Sequence, residues 1–269
     1  MLSPQRRRGV AGNAEQTSVY TFALVKVFLI IPAAGMGTRM TATKGRKAPV
    51  SKQFLELAGA PIIVHTLRRF LENRRISEVF IALRKAEAEA FQPRLAKEKF
   101  KQPVHLLEGG ENRQESVSNA LKAVAKVAAA DDVVLVHDAV RPFVEPEVIE
   151  NVIETVIKSG AAIAGVPAID TIKQVERTAE GAIITSTIPR ERIVQAQTPQ
   201  GFRFSLLQKA FDDAAAIGFT GTDEASLVER IGGQVSVVMG SARNIKITTP
   251  ADLELAEFFL EQENRSLAG

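Results

Sequence analysis

An apolar run from Phe22 to Ile31 empties directly into Pro32-Ala33-Ala34-Gly35-Met36-Gly37-Thr38-Arg39-Met40. This junction constrains the chain more than any other stretch. The run reads as a buried first strand, from Thr21 to Ile31. Ala33, Ala34, Gly35 and Gly37 carry almost no side chain, so backbone N–H groups can close around phosphate oxygens. Arg39 adds a planar fork of donors suited to a polyphosphate. A strand that opens into such a loop points to an α/β fold that handles a nucleotide.

Two phosphate loops fit poorly. The dinucleotide fingerprint needs a third glycine where Met40 stands, and no Gly-Lys-Ser/Thr run follows Gly35. For the glycines alone, a tight strand-to-helix turn without a ligand stays open beside the phosphate reading.

Farther along, short apolar runs alternate with amphipathic ones. Strands are expected at Val79 to Leu83, Val104 to Leu107, Val133 to Val136 and Ala161 to Val166. Helices are expected from Ala60-Pro61 to about Glu72, then at Glu87 to Lys99, Gln114 to Ala129 and Glu147 to Lys158. This order predicts a mostly parallel sheet with helices on both faces. Ligands in such sheets sit beyond the carboxyl ends of the strands, and Gly35, Gly110 and Asp138 all follow strand ends.

The alternation breaks between Pro167 and Gln200. Two β-like runs, Thr171 to Arg177 and Ala182 to Pro189, flank a turn at Gly181. A two-stranded ribbon is marginal alone, so it needs either a second copy of the chain or its own domain to fold against. Helices resume at Ser205 to Ile217 and Asp223 to Ile231, with strands at Gln234 to Met239 and Asn244 to Thr248. Thr249 and Pro250 then cap a final helix, with Asp252 and Glu254 near its positive end.

Composition narrows the class. The 269 residues carry a formal charge of +3, of which residues 1–20 hold +2 through Arg6, Arg7, Arg8 and Glu15. The basic balance is thus mostly a property of the first residues and argues weakly for nucleic-acid binding. Cysteine is absent, which removes a thiolate nucleophile, a disulfide framework and a Cys-based metal site, and suits a reducing cytoplasm. Lys26 interrupts the first apolar run, so no membrane span or signal peptide is read there. The expected organisation is a disordered extension over 1–20 and a single domain over 21–264, with the ribbon at about 168–195.

Five segments in one order resemble a single family, 2-C-methyl-D-erythritol 4-phosphate cytidylyltransferase. They are Pro32 to Met40; Gly109-Gly110-Glu111-Asn112-Arg113-Gln114-Glu115-Ser116-Val117; Val136-His137-Asp138-Ala139-Val140-Arg141-Pro142; Gln197-Thr198-Pro199-Gln200; and Asn244-Ile245-Lys246-Ile247-Thr248. Thr222-Asp223-Glu224-Ala225 is also similar to the family, and the likeness runs from about Val27 to Leu260. It implies a Rossmann-like fold whose ribbon is a dimerisation arm. It also implies transfer of a cytidylyl group from CTP to the phosphate of a sugar alcohol, with Mg²⁺ present and pyrophosphate leaving.

The resemblance implies roles residue by residue. Arg39 matches the family arginine on the triphosphate, and Lys52, through Lys52-Gln53-Phe54-Leu55, the catalytic lysine. The family usually has Pro-Lys-Gln soon after Arg-Met; this chain has a longer insert and reads Pro49-Val50-Ser51-Lys52-Gln53, so Lys44 and Lys47 are rivals. Ala33, Ala34, Gly35, Gly37, Gly110 and Ser116 match positions lining the CTP site, the last two near the base. Asp138, followed by Ala139, matches an aspartate near nucleotide and Mg²⁺. Thr171, Arg190 and Thr198 match positions around the acceptor, and Lys246 a lysine orienting its phosphate. The first two lie on the arm, which in the family reaches the other subunit's site. Arg192 is a rival of Arg190, and Arg141 a neighbouring structural or phosphate contact. Asp223 is read as a helix cap before a metal ligand, and His65, His105 and His137 as structural.

Three other readings are weighed beside it. A ribitol-phosphate cytidylyltransferase shares the architecture, and a nucleotide-binding regulatory protein would lack turnover. An RNA-binding protein would depend on residues 1–20.

Overall fold

The computed structural model describes residues 25–35 and 51–268. Residues 1–20, the start of the expected first strand, Gly37, Arg39, Lys44 and Lys47 lie outside the described residues.

In chain order the elements are β1 (Val27–Pro32), β2 (Glu56–Leu57), β3 (Ala60–Pro61), α1 (Ile62–Leu71), β4 (Ile76–Leu83), α2 (Lys85–Leu95), β5 (Val104–Glu108), α3 (Arg113–Val124), β6 (Val133–Val136), α4 (Pro146–Ser159) and β7 (Ala161–Pro167). There follow β8 (Ile172–Thr178), β9 (Gly181–Ile188), β10 (Val194–Arg203), α5 (Phe204–Ile217), α6 (Glu224–Arg230), β11 (Ser236–Met239) and α7 (Pro250–Ala268). Seven strands form one sheet in the order β11-β7-β10-β6-β1-β4-β5. Every pairing in it is parallel except those of β10, which runs antiparallel to both β6 and β7.

The central strands are apolar throughout because both their faces are covered. From β1, Val27, Leu29 and Ile31 enter a core closed by α1, α2 and α4, while Phe28 and Ile30 enter a second core closed by α3, α5 and α6. β6 divides in the same way, with Val133 and Leu135 on one side and Val134 and Val136 on the other. A smaller cluster, including Leu57, Val140, Phe143, Ile247 and Ala256, seats α7 against the β2–β3 turn. Burying a Leu or Ile side chain contributes roughly 1.5–3 kcal/mol, so this double-sided packing holds the strand ends, and the loops that leave them, in place.

Four expectations are corrected. The described part of the first strand begins at Val27. Ala60-Pro61 does not open a helix: it pairs with Glu56-Leu57, and α1 starts at Ile62 with Pro61 as its N-cap residue. Asn244 to Thr248 is not a strand, since its backbone makes isolated ties, such as Ile247 N–H to the Val140 carbonyl at 2.9 Å, and no ladder. Finally, Val194–Arg203, most of which falls within the expected break between Pro167 and Gln200, is a strand of the central sheet. Its pairing with β7 jumps from Ala196 to Gln200, so Pro199 falls in the irregular stretch and owes no ladder hydrogen bond.

Among the described residues β8 and β9 pair only with each other, as a separate ribbon between β7 and β10. Ala168 N–H bonds the Ile193 carbonyl at 3.1 Å and closes its base. Both ribbon faces are open: Ile183 is 62% exposed and Ile184 59%.

Candidate active site

Three strand ends open onto one cleft of about 290 Å³, lined by Ala33, Ala34, Gly35, Lys52, Gly110, Ser116, Asp138, Ala139 and Lys246 among others. These are the described residues of the expected nucleotide site together with Lys52 and Lys246. Thr198 lies directly beneath, bonded to the Asp138 N–H. Thr171 and Arg190 are elsewhere. Thr171 immediately precedes β8, and Arg190 sits in the turn after β9 with its Nη1 donating to the Ile169 carbonyl at 2.7 Å. Both stand at the ribbon's base rather than along its strands, and neither lines this cleft.

The small residues are there because the loops touch. Ala33 N–H bonds the Ala82 carbonyl and Gly109 N–H the Leu83 carbonyl, each at 2.8 Å. A Cβ on Gly109 would fall 2.5 Å from the Ala34 methyl carbon, so only glycine lets the two loops lie side by side. Next to it the Ser116 hydroxyl accepts from Gly110 N–H at 3.0 Å and donates to the Asn112 carbonyl at 2.9 Å. Asn112 itself caps α3, its side chain accepting from Glu115 N–H.

Asp138 is the electrostatic centre. It ends β6, is 7% exposed, and meets Lys246 Nζ at 2.9 Å, Arg141 Nε at 3.2 Å and Arg113 Nε at 3.5 Å. Burial alone would push its carboxyl up; Lys246, Arg113 and Arg141 outweigh burial and hold it well below the usual carboxylate range. Lys246 is delivered by an irregular segment that is firmly tied. Asn244 Nδ2 donates to the Thr198 carbonyl at 2.8 Å, and Arg141 Nη1 to the Asn244 carbonyl at 2.7 Å.

Beneath Asp138 runs a closed hydrogen-bond chain. His137 is fully buried and its Nε2 faces the Arg141 carbonyl at 3.0 Å, so that nitrogen carries the proton. Nδ1 is then an acceptor for the Thr198 hydroxyl at 3.0 Å, and that hydroxyl accepts from Asp138 N–H at 3.1 Å. Burial lowers the His137 pKa to about 4, against the opposing Arg141 carbonyl, so the ring is neutral near pH 7.

Sequence reading singled out neither Arg113 nor Glu224. Arg113 Nη1 and Nη2 clasp the two oxygens of Glu224 at 2.6 and 2.9 Å, and Glu224 is 1% exposed. Burial opposes the Arg113 charge, but Glu224 and Asp138 more than compensate and raise its pKa. The two residues stand 111 positions apart, so no local pattern announces them; their appearance within two family-like segments was the only signal. Asp223 caps α6 through Ser226 N–H at 2.9 Å and accepts from Gln200 at 2.8 Å. The histidines are scattered: His65 faces the Leu57 carbonyl and His105 faces Glu78.

Toward a divalent cation the cleft offers, among the described residues, one buried carboxylate, Asp138, whose oxygens already face Lys246, Arg141 and Arg113. Mg²⁺ is commonly bound by one or two carboxylates plus substrate phosphates rather than by an all-protein cage. Asp138 is such a carboxylate, and no group of three or more His, Asp or Glu side chains gathers among the described residues.

A turn of small residues at the end of β1, cations gathered on one carboxylate and a doubly covered, mostly parallel sheet are the marks of a class, the nucleotidyltransferases. The chain belongs to the 2-C-methyl-D-erythritol 4-phosphate cytidylyltransferase family, whose model matches residues 27–262. The relative from Acidobacterium capsulatum, which bears that name, is 59% identical over 241 residues, covering 89% of this chain and 99% of its own length. The relative of the same name from Solibacter usitatus is 48% identical, covering 89% and 97%. Among solved structures, the enzyme of that name from Francisella tularensis superposes with a TM-score of 0.71 at 36% identity, over 87% of this chain and 99% of that one. The 4-diphosphocytidyl-2C-methyl-D-erythritol synthase from Anaerococcus prevotii reaches 0.75 at 27% identity, covering 88% and 97%. Like them, this chain is a cytidylyltransferase of isoprenoid biosynthesis.

Proposed function

We propose that this cleft transfers the cytidylyl group of CTP to 2-C-methyl-D-erythritol 4-phosphate through the residues assembled at the β1, β5 and β6 ends. A phosphate oxygen of the acceptor attacks the α-phosphorus, the bond to the β-phosphate oxygen breaks, and pyrophosphate leaves. Both partners are anionic, so repulsion dominates the barrier, and catalysis comes from positioning and preorganised cations rather than a protein nucleophile. The observation that carries the reading is the convergence of Lys246, Arg141 and Arg113 on Asp138 in a cleft that Lys52 also lines.

The roles of the described residues follow from place, and those of Gly37 and Arg39 from their match to the family. Ala33 N–H is spent on the Ala82 carbonyl, so backbone N–H groups of Ala34, Gly35 and Gly37 take the triphosphate while Ala33 lines the loop, with Arg39 and Lys52 supplying positive charge. Gly110 and Ser116 shape the base pocket. Asp138, beside Ala139, would hold Mg²⁺, which supplies neutralisation of phosphate charge when bound. Lys246 steers the acceptor phosphate, and Thr198 fixes the Asp138 loop from below.

Thr171 and Arg190 act on the acceptor in the site of a second copy, with the ribbon as the dimerisation arm. Its exposed Ile183 and Ile184, and its pairing with no other strand among the described residues, support that use. No described helix is long and apolar enough to cross a membrane. Independently of that, the cysteine-free sequence supports placing the reaction in a reducing cytoplasm.

Pyrophosphate release from CTP, measured with 2-C-methyl-D-erythritol 4-phosphate and with ribitol 5-phosphate, tests the reading. Turnover with the first and little with the second is expected. Preference for ribitol 5-phosphate transfers the assignment to the sister activity, and release with neither leaves a binding protein. Loss of turnover in Lys47→Ala with none in Lys52→Ala would move the lysine role into the insert.

A further inference from the structure

Lys52 begins a single 3-10 turn, Lys52–Phe54, at the end of the segment that connects it to the phosphate loop. Its neighbours on both sides are anchored. Ser51 is 4% exposed, and its hydroxyl is used in both senses: it donates to Glu87 Oε1 at 2.5 Å and accepts from Arg84 Nη2. Arg84 and Glu87 are themselves paired and stand at the N-cap and first turn of α2. Glu87 Oε2 is buried without a hydrogen-bond partner among the described residues, so this carboxylate depends on the Ser51 and Arg84 contacts. On the other side, Gln53 Nε2 donates to the Ala33 carbonyl, and Phe54 packs on Phe91 of α2 with ring centroids 5.4 Å apart.

We propose that Ser51, through its buried tether to Glu87 and Arg84, is a positioning residue that fixes where Lys52 enters the cleft. A serine hydroxyl between secondary-structure elements is most simply satisfied by water. Here the hydroxyl is buried against the first turn of a helix whose own position is set by the core through Phe91 and Leu95. The tether links the lysine's backbone to the rigid sheet, and Gln53 links it to the phosphate loop. The lysine's place relative to the triphosphate is thereby set by two short contacts rather than by the long connection preceding it. Small displacements of a charge from its transition-state position carry large rate penalties. The inference rests on the reading that Lys52 acts in the transfer.

The test is a double-mutant cycle on the full-length protein, with Ser51→Ala introduced into the native chain and into Lys52→Ala, and kcat and KM for CTP measured in each. In the native background kcat is expected to fall about tenfold with KM changed less than about twofold, whereas in Lys52→Ala the same substitution changes kcat less than about twofold. Glu87→Gln, with thermal unfolding of each variant recorded, should follow the same pattern. Equal losses in both backgrounds, or an unchanged kcat in the native one, overturn the tether. Native turnover in Lys52→Ala alone removes the premise and the proposal with it. That failure is distinct from the case in which Lys52→Ala is slow and Ser51→Ala is not.

Discussion

Lys246 Nζ lies 2.9 Å from Asp138 Oδ2, joining the last irregular segment before α7 to the end of β6. Lys246 is 41% exposed along its side chain, so the pair adds little to stability, while its charge faces the cleft where an acceptor phosphate must settle. Lys246→Met is therefore expected to raise the acceptor KM by about ten- to a hundredfold and to leave the KM for CTP nearly unchanged. Asp138 keeps Arg141 and Arg113, so the melting temperature should move by only a few degrees. Steady-state pyrophosphate release with each substrate varied in turn gives both constants; a selective rise in the CTP constant would reassign Lys246 to the nucleotide.

Thr171 and Arg190 stand apart from the cleft of their own chain, at the base of a ribbon with exposed isoleucines on its strands. If they serve a second copy's site, an Arg190→Ala chain and a Lys52→Ala chain fail in different places. A heterodimer of the two then contains one site with both functional residues. Mixed and purified heterodimers should recover turnover well above either parent homodimer, approaching about half the native value per dimer. Heterodimers no faster than the parents would show that each site is built from one chain.

The double-sided cores explain how much of this was legible in the sequence. β1 and β6 are buried on both faces, so they read as unbroken apolar runs, and the loops following them inherit a known place at the sheet's carboxyl rim. β10 did not read as a strand because its central Gln197-Thr198-Pro199 stretch is spent on an irregular crossing between β6 and β7, where hydrogen bonds to Asn244 and His137 replace ladder bonds. Conversely, Ile245 and Ile247 alternate like a strand, but both serve the small cluster under α7, and their N–H groups bond the Arg243 and Val140 carbonyls rather than a ladder. Within the site, the loop residues were legible as short strings. The Arg113–Glu224 clasp was not, because a contact between α3 and α6 leaves no spacing to read.

That clasp is a stability feature with a measurable size. Glu224 is fully buried and accepts both Arg113 nitrogens, and it leads α6 beside the Gln200–Asp223 bond. Removing Arg113 leaves the Glu224 charge buried without its partner, and removing Glu224 leaves Arg113 only the longer contact to Asp138 at 3.5 Å. Glu224→Ala should cost about 3–5 kcal/mol in urea unfolding, and the double variant Arg113→Met with Glu224→Leu distinctly less. A loss under about 1 kcal/mol in the single variant would show that water readily replaces the carboxylate.

His137 gives the fold a pH dependence of known sign. The buried ring titrates at about 4, below the value of about 6.5 expected in the unfolded chain. Between those values the unfolded state binds a proton that the folded state refuses. The neutral ring's contribution is therefore complete above about pH 6.5 and is lost as pH falls toward 4. The linkage amounts to about 3 kcal/mol over that interval. His137→Gln removes the titrating group, and its urea-unfolding free energy, followed from pH 7 to 4.5, should decline less steeply than the native protein's by close to one proton's worth of slope. Parallel slopes in the two proteins would mean that the ring is protonated in the fold. The proton would then have to sit on Nδ1, and the Thr198 hydroxyl could no longer donate to it while accepting from Asp138.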